Sequence, residues 1–159
     1  MSTSTEVQTI HDLRVLQEGY GPGAWHGPDL KAALADVDPA LAFWRPAAGR
    51  HNIAEIALHH AHCIRAVRSQ LSGQPSASFV MAGEDWFALD DERALSWTAI
   101  LATVESEQSR LREFVAAISA GAAGSPLGGE ERFSLALGIT CHAIYHAGQI
   151  QLIKRLQGG

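Results

Sequence analysis

The sequence predicts an all-α protein, a four-helix bundle whose N-terminal helix is interrupted. Three observations carry that expectation. Apolar residues recur at helical spacing in four segments of the 159-residue chain, no run alternates apolar and polar residues between turn signals, and glycine- and proline-rich pieces part the segments. A chain this long buries enough apolar surface to fold as one domain, 1–159, without a disulfide or structural metal.

The elements follow in order. "EVQTIHDLRVLQEGY" reads as a first helix, broken by "GYGPGAWHGP" and resumed as a short amphipathic piece in "DLKAALADV". "PAAGRH" marks a loop. The second helix opens after Asn52, a good N-cap, with Glu55 at the third helical position, the spacing of a capping box. It runs to about Leu71, where "SGQPS" stops it. A third begins near "DDER", whose acids suit the positive end of a helix, and runs to about Ile118. Its apolar stripe is Trp97, Ile100, Leu101, Val104, Leu111, Val115 and Ile118. "AGAAGSPLGG" leads to the fourth, "EERFSLALGITCHAIYHAGQIQLIKRL", with acids first and Lys154 and Arg155 last.

Composition narrows the function. Charged residues are 18% of the chain, below the roughly 25% of an average soluble domain, and the formal charge is −5. With Lys and Arg scattered, nothing gathers phosphates, and a nucleic-acid partner is not expected. No run approaches the ~18 apolar residues of a membrane span, and "MSTSTEVQTI" lacks the basic start and apolar core of a signal peptide. Cys63 and Cys141 have no paired spacing and read as small core residues in a cytoplasmic protein. Low charge together with Trp25, Trp44, Trp86 and Trp97 predicts a homodimer with some aromatic burial.

The chemistry lies in the histidines. On a helical wheel, Leu135, Ile139, His142, His146, Ile150 and Ile153 fall within roughly an 80° sector, so two imidazoles share the core-facing stripe of the fourth helix. Burying such a ring without partners costs about 1–3 kcal/mol, and residues at i and i+4 can reach one ion. Core histidines bonded to backbone, Gln149 or Tyr145 are the plainer account of an isolated HxxxH. The second helix shifts the balance, because "EIALHHAHC" supplies His59, His60 and His62. Three imidazoles from two helices make an open site that leaves a coordination position for water or substrate. The wheel puts His60 at the centre of the stripe Ile53, Ile56, Ala57, His60, Ile64, Val67 and Leu71, and His59 outside its edge.

"NIAEIALHHA", followed some eighty residues later by "GITCHAIYHAGQIQLIKRL", resembles the DinB-like (YfiT-like) metalloenzyme superfamily. Its members share a helix-opening "SIAE", a histidine four residues after the acid, and a last helix reading "H-x-x-YHAGQI". "AWHGPDLKAAL", "RPAAGRHNIAE" and "EDWF" are also similar to that family's connecting segments, so the likeness covers most of the chain. The resemblance implies a divalent metal, zinc or nickel foremost, held in a four-helix bundle by His59, His142 and His146, with His60 in reserve. It further implies a metal-dependent enzyme acting on a small molecule, a thiol S-transferase using a low-molecular-weight thiol or a hydrolase-like protein. The rival is a non-enzymatic metal- or ligand-binding bundle.

Other residues carry plainer readings. Glu55 sits one turn before His59 as a candidate general base, but its capping spacing already explains it. Gln149 and Tyr145 flank the ligands and could orient an imidazole or a substrate. Gln108 is the one polar break in the third stripe and reads as a core amide. His62 reads as a residue behind the ligands or in solvent, and His11, His26 and His51 as surface residues.

Overall fold

In the computed structural model, residues 4–158 are described, with side chains from His11 onward. The first three residues of the segment read for a signal peptide lie outside them. Among the described residues there are six helices: α1 (Ser4–Tyr20), α2 (Leu30–Leu34), α3 (Pro39–Phe43), α4 (Ile53–Ser72), α5 (Trp97–Ser119) and α6 (Gly129–Gly158). The protein is all-helical, and the four long helices are those expected from the sequence. Helix α1 packs on α5 and α6, and α4 packs on the same two, which closes a ring α1, α5, α4, α6. The short pieces dress one end, α2 against α6 and α1, and α3 against α4. No described helix is long and apolar enough to cross a membrane.

Local chemistry fixes the helix ends. The Asn52 side chain accepts from the Glu55 N–H at 2.9 Å, and Gly73 closes α4 in the left-handed conformation at φ 68°. Helix α3, which was not expected, follows the same rule: Asp38 caps it and Pro39 opens it. The expected start of α5 near "DDER" is corrected to Trp97. Asp91 accepts from the Arg93 backbone N–H at 2.8 Å and from its guanidinium, so those residues form a turn, and Ser96 caps the helix through the Ala99 N–H. The half of the capping box that would return from Glu55 to Asn52 does not form, because that carboxylate is engaged elsewhere.

The core is split. One apolar cluster gathers α2, α3, the first half of α4, the start of α5 and the last half of α6, and includes Leu58, Trp97, Ile100 and Ile150. The other holds Leu16, Ile64, Leu71, Leu111, Val115 and Ile139. Near the junction of the two clusters, and reaching into the first, runs a layer of buried polar groups: His59 and His60 on α4, Glu107 and Gln108 on α5, Thr140 and His146 on α6. Arg68 and Arg110 reach Glu107 at 2.8 and 3.2 Å, so this carboxylate is paired. Gln108 is buried as expected, but Cys141 is exposed on the outer face of α6, a correction to its reading as a core residue.

Helices α1 and α6 approach closely at Gly19. A Cβ there would stand 3.0 Å from the Cα and carbonyl oxygen of Thr140, whose hydroxyl donates to the Val15 carbonyl. Gly19→Ala should therefore lower stability by about 1–3 kcal/mol despite alanine's better helix propensity, because backbone must move. Thermal unfolding of the variant checks this, and an unchanged or higher melting temperature would show that the crossing is looser than described.

Candidate metal centre

Helices α4 and α6 face one another across the polar layer, and their register brings together histidines more than eighty residues apart in sequence. The Nε2 of His142 lies 3.1 Å from the Nε2 of His59 and 3.1 Å from the Nε2 of His146. All three residues offer ligand atoms within 4.8 Å of one another. His59 and His146 are buried, and His142 is partly so.

Hydrogen bonding among the three does not account for this arrangement. One ring nitrogen has either one N–H or one in-plane lone pair, so His142 Nε2 cannot bond well to two nitrogens at once. A linear N–H···N bond at 3.1 Å would put ring centres about 5.3 Å apart, given roughly 1.1 Å from centre to nitrogen in a ring with bonds near 1.33 Å. The His142 and His146 centres are only 4.3 Å apart, so those nitrogens point past each other. Two nitrogens bound to one ion at about 2.05 Å stand about 2.9 Å apart at a right angle and about 3.3 Å apart at the tetrahedral angle. The observed 3.1 Å falls between. Rings aimed at such an ion would have centres about 4.8 Å apart, and the three separations are 5.0, 5.2 and 4.3 Å.

The remaining nitrogens fit the same picture. His59 Nδ1 lies 3.1 Å from the Asp85 carbonyl and 3.0 Å from its carboxylate, and His146 Nδ1 lies 2.6 Å from Gln149 Oε1. With N–H on each Nδ1, both acceptors are served and both Nε2 lone pairs face the cluster. His142 Nδ1 meets His60 Nδ1 at 2.9 Å. His60 thus stands behind His142, and its other nitrogen is buried without a partner among the described residues. The donor set fits one divalent cation.

Sequence reasoning missed the roof. Trp86, on the connection between α4 and α5, lies flat between His59 and His51, with ring centres 3.9 and 3.7 Å away. His51, read as an ordinary surface residue, therefore borders the site, and it also bonds Glu55 at 2.8 Å. Glu55 is not a free base. It accepts two guanidinium N–H groups from Arg45, the Leu89 backbone N–H and His51. Burial raises its pKa, but these bonds outweigh burial and hold the carboxyl below its ordinary value. Tyr145 is exposed, with its ring edge-on to His146. His62 lies edge-on to Phe79 and Phe87, away from the cluster, while His11 and His26 are exposed. Cys63 has its sulfur 3.7 Å from His59 Nε2, and burial pushes its thiol up to about 11. With His59 and Asp85 it forms a second possible ligand group that shares one imidazole with the first.

A helical bundle with three imidazoles converging from two of its helices defines a class: small helical proteins able to hold a divalent ion in the core. Residues 24–150 match the family model of the DinB superfamily, and the chain belongs to that superfamily. No curated protein and no solved structure matches the chain. Family and fold thus agree with the resemblance carried by "NIAEIALHHA" and "HAIYHAGQI".

Burial pushes the His142 imidazole down to about 4, with repulsion from His146 and His59 adding to it, and burial also lowers His146 and, strongly, His60. In metal-free protein these rings stay neutral where their unfolded counterparts, near pKa 6.5, take up protons. The unfolded state then binds more protons, so stability is full above about pH 6.5 and falls as pH drops toward 4. Urea unfolding in chelator across that range should show the loss, and a flat profile would mean the rings are not buried as described.

Proposed function

We propose that this DinB-superfamily protein is a metal-dependent enzyme acting on a small molecule, a thiol S-transferase or hydrolase-like protein, with His59, His142 and His146 holding one divalent cation. Zinc or nickel is the proposed ion; imidazole suits iron and copper as well, and affinity order alone does not choose among them. The observation that carries the reading is the convergence of three Nε2 atoms at mutual positions an ion explains and hydrogen bonds do not. A cation so held supplies Lewis acidity and lowers the pKa of a bound water or thiol.

The chain's own residues set the rest. Asp85 and Gln149 hold their imidazoles in the tautomer that turns Nε2 inward, and the Trp86 ring shields the His59 face from water. Gln149 and Tyr145 stand near the cluster, where a small substrate would meet them. One observation favours a second reading, a binding or sensing protein without catalysis. Glu55 is saturated, so the nearest carboxylate on α4 cannot serve as a general base.

Protein purified without a histidine tag should contain or take up one divalent ion per chain, measured by elemental analysis. His146→Ala and His59→Ala should each abolish high-affinity binding while the helical spectrum survives. Retention of the ion by both would end the assignment. Thiol-transfer assays against an electrophile separate the two functional readings, since enzymatic activity must appear with metal and vanish on chelation.

We further propose a cytoplasmic homodimer that meets through the outer face of α6. Trp97 is buried and Trp86 is stacked on histidines, so of the four tryptophans Trp25 stands most open. The stronger support is α6, where no charged residue occurs from Phe133 to Ile153 and Leu137, Tyr145, Leu152 and Leu156 are exposed. Leu152→Asp should convert a dimer to a monomer in light scattering. A monomer mass for the unaltered chain at micromolar concentration would refute the proposal.

A further inference from the structure

His60 occupies the centre of the α4 stripe, between Ile56 and Ile64, where an aliphatic side chain would pack at no polar cost. It is 1% exposed, and its Nε2 is buried without a partner among the described residues. An orphaned polar atom of this kind costs about 1–3 kcal/mol and requires a reason. The reason lies at its other nitrogen.

His60 Nδ1 and His142 Nδ1 are 2.9 Å apart, and the two ring planes differ by only 18°. With each nitrogen about 1.1 Å from its ring centre, a 2.9 Å approach allows centres at most about 5.1 Å apart, and the observed 5.2 Å reaches that limit to within about 0.1 Å. Both nitrogens therefore lie on the line joining the ring centres, and the rings meet edge to edge in nearly one plane. This is the geometry of a linear, in-plane N–H···N hydrogen bond. The contacts within the three-histidine cluster differ from it, most clearly the bent pair His142 and His146.

Such a bond has two senses. If His60 donates, His142 keeps its proton on Nε2 and its lone pair faces away from the cluster. If His142 donates, its Nε2 lone pair faces His59 and His146, and the spare proton of His60 sits on the orphaned Nε2. We propose that His60 is a positioning residue: it accepts the Nδ1 proton of His142 and so fixes the one tautomer of His142 that can bind a cation. The inference rests on the three-histidine metal reading and adds a fourth histidine that never touches the ion. It also gives all three ligand histidines an acceptor behind them: Asp85 for His59, Gln149 for His146, His60 for His142. The orphan at His60 Nε2 is the cost of using an imidazole as that acceptor.

The test uses the full chain with zinc. Long-range proton–nitrogen NMR of zinc-loaded, histidine-labelled protein should show His142 protonated at Nδ1 and His60 protonated at Nε2. In chelator competition, His60→Leu should weaken zinc binding by about 10–100-fold, and His60→Asn, whose Oδ1 takes the place of Nδ1, should recover most of it. Circular dichroism checks that both variants fold, and the NMR result does not depend on either. The proposal is overturned if His60→Leu binds zinc as tightly as the unaltered chain, if leucine and asparagine weaken it equally, or if His60 carries its proton on Nδ1. Failure of the unaltered chain to take up zinc or nickel would instead overturn the metal reading beneath it, a separate and recognisable result.

Discussion

Each imidazole brings two nitrogens into the core, and each nitrogen must find a partner. That requirement organises the centre of this bundle. Hydrocarbon on both sides of the polar layer offers nothing to bond to, so the layer has to satisfy itself. Glu107 does so with two arginines and Thr140 with backbone carbonyls. The four histidines solve the problem only in part, since three Nε2 atoms are left facing one another and three Nδ1 contacts are directed outward. A slip of α6 by one residue against α4 would break the contacts of His142 with His59 and His60, whereas an all-aliphatic layer would tolerate it far better.

The same accounting explains why a long irregular connection is held over the site. Asn52 caps α4 with its oxygen and donates its amide to the Leu89 carbonyl at 2.6 Å, while Glu55 receives the Leu89 N–H. Two side chains from the first turn of α4 thus clamp both backbone groups of one loop residue. Arg45 joins the clamp through Glu55 and Asp90. Three residues upstream of that anchor, Trp86 is delivered onto His59, and Asp85 onto its Nδ1. Glu55 therefore acts on the cluster through the loop, although its position one turn from His59 suggests a direct part.

Much of this was legible in the sequence, and the misses share a cause. Periodicity located the four long helices and the inward face of His142 and His146, because both follow from the geometry of a single helix. It could not choose between His59 and His60. A wheel orders residues around one axis, and the first half of α4 is covered on several sides, so both are buried. Helix packing decides which nitrogen faces the cluster. Asp85, Trp86 and His51 went unrecognised because loop residues have no period, and only the family likeness in "EDWF" drew notice to that stretch. Cys141 was misplaced for the opposite reason: α6 is apolar on its outer face as well, so hydrophobicity there did not mean burial. Asp38 followed by Pro39 was a readable start signal for α3 that the short apolar run after it concealed.

Charge balance narrows what the cluster can take as a fourth ligand. Three neutral imidazoles leave the full charge of a divalent ion unbalanced inside a layer bounded by hydrocarbon. Of the nearby acids, Glu55 is neutralised by Arg45 and Glu107 by Arg68 and Arg110. Asp85 remains, but its carboxylate acts on the far nitrogen of His59 and is itself 61% exposed, where water screens it. A site of this composition favours an anionic partner over a neutral one, a hydroxide or thiolate ahead of an alcohol or amine. Cys63 offers an anionic ligand from within the chain: its sulfur lies 3.7 Å from His59 Nε2, burial pushes its thiol up to about 11 in the metal-free protein, and a bound cation would draw that proton off. On the proposed metal reading, the charge left over would be balanced by an anion from solution, and that preference is what thiol or hydrolytic chemistry at the cluster would use.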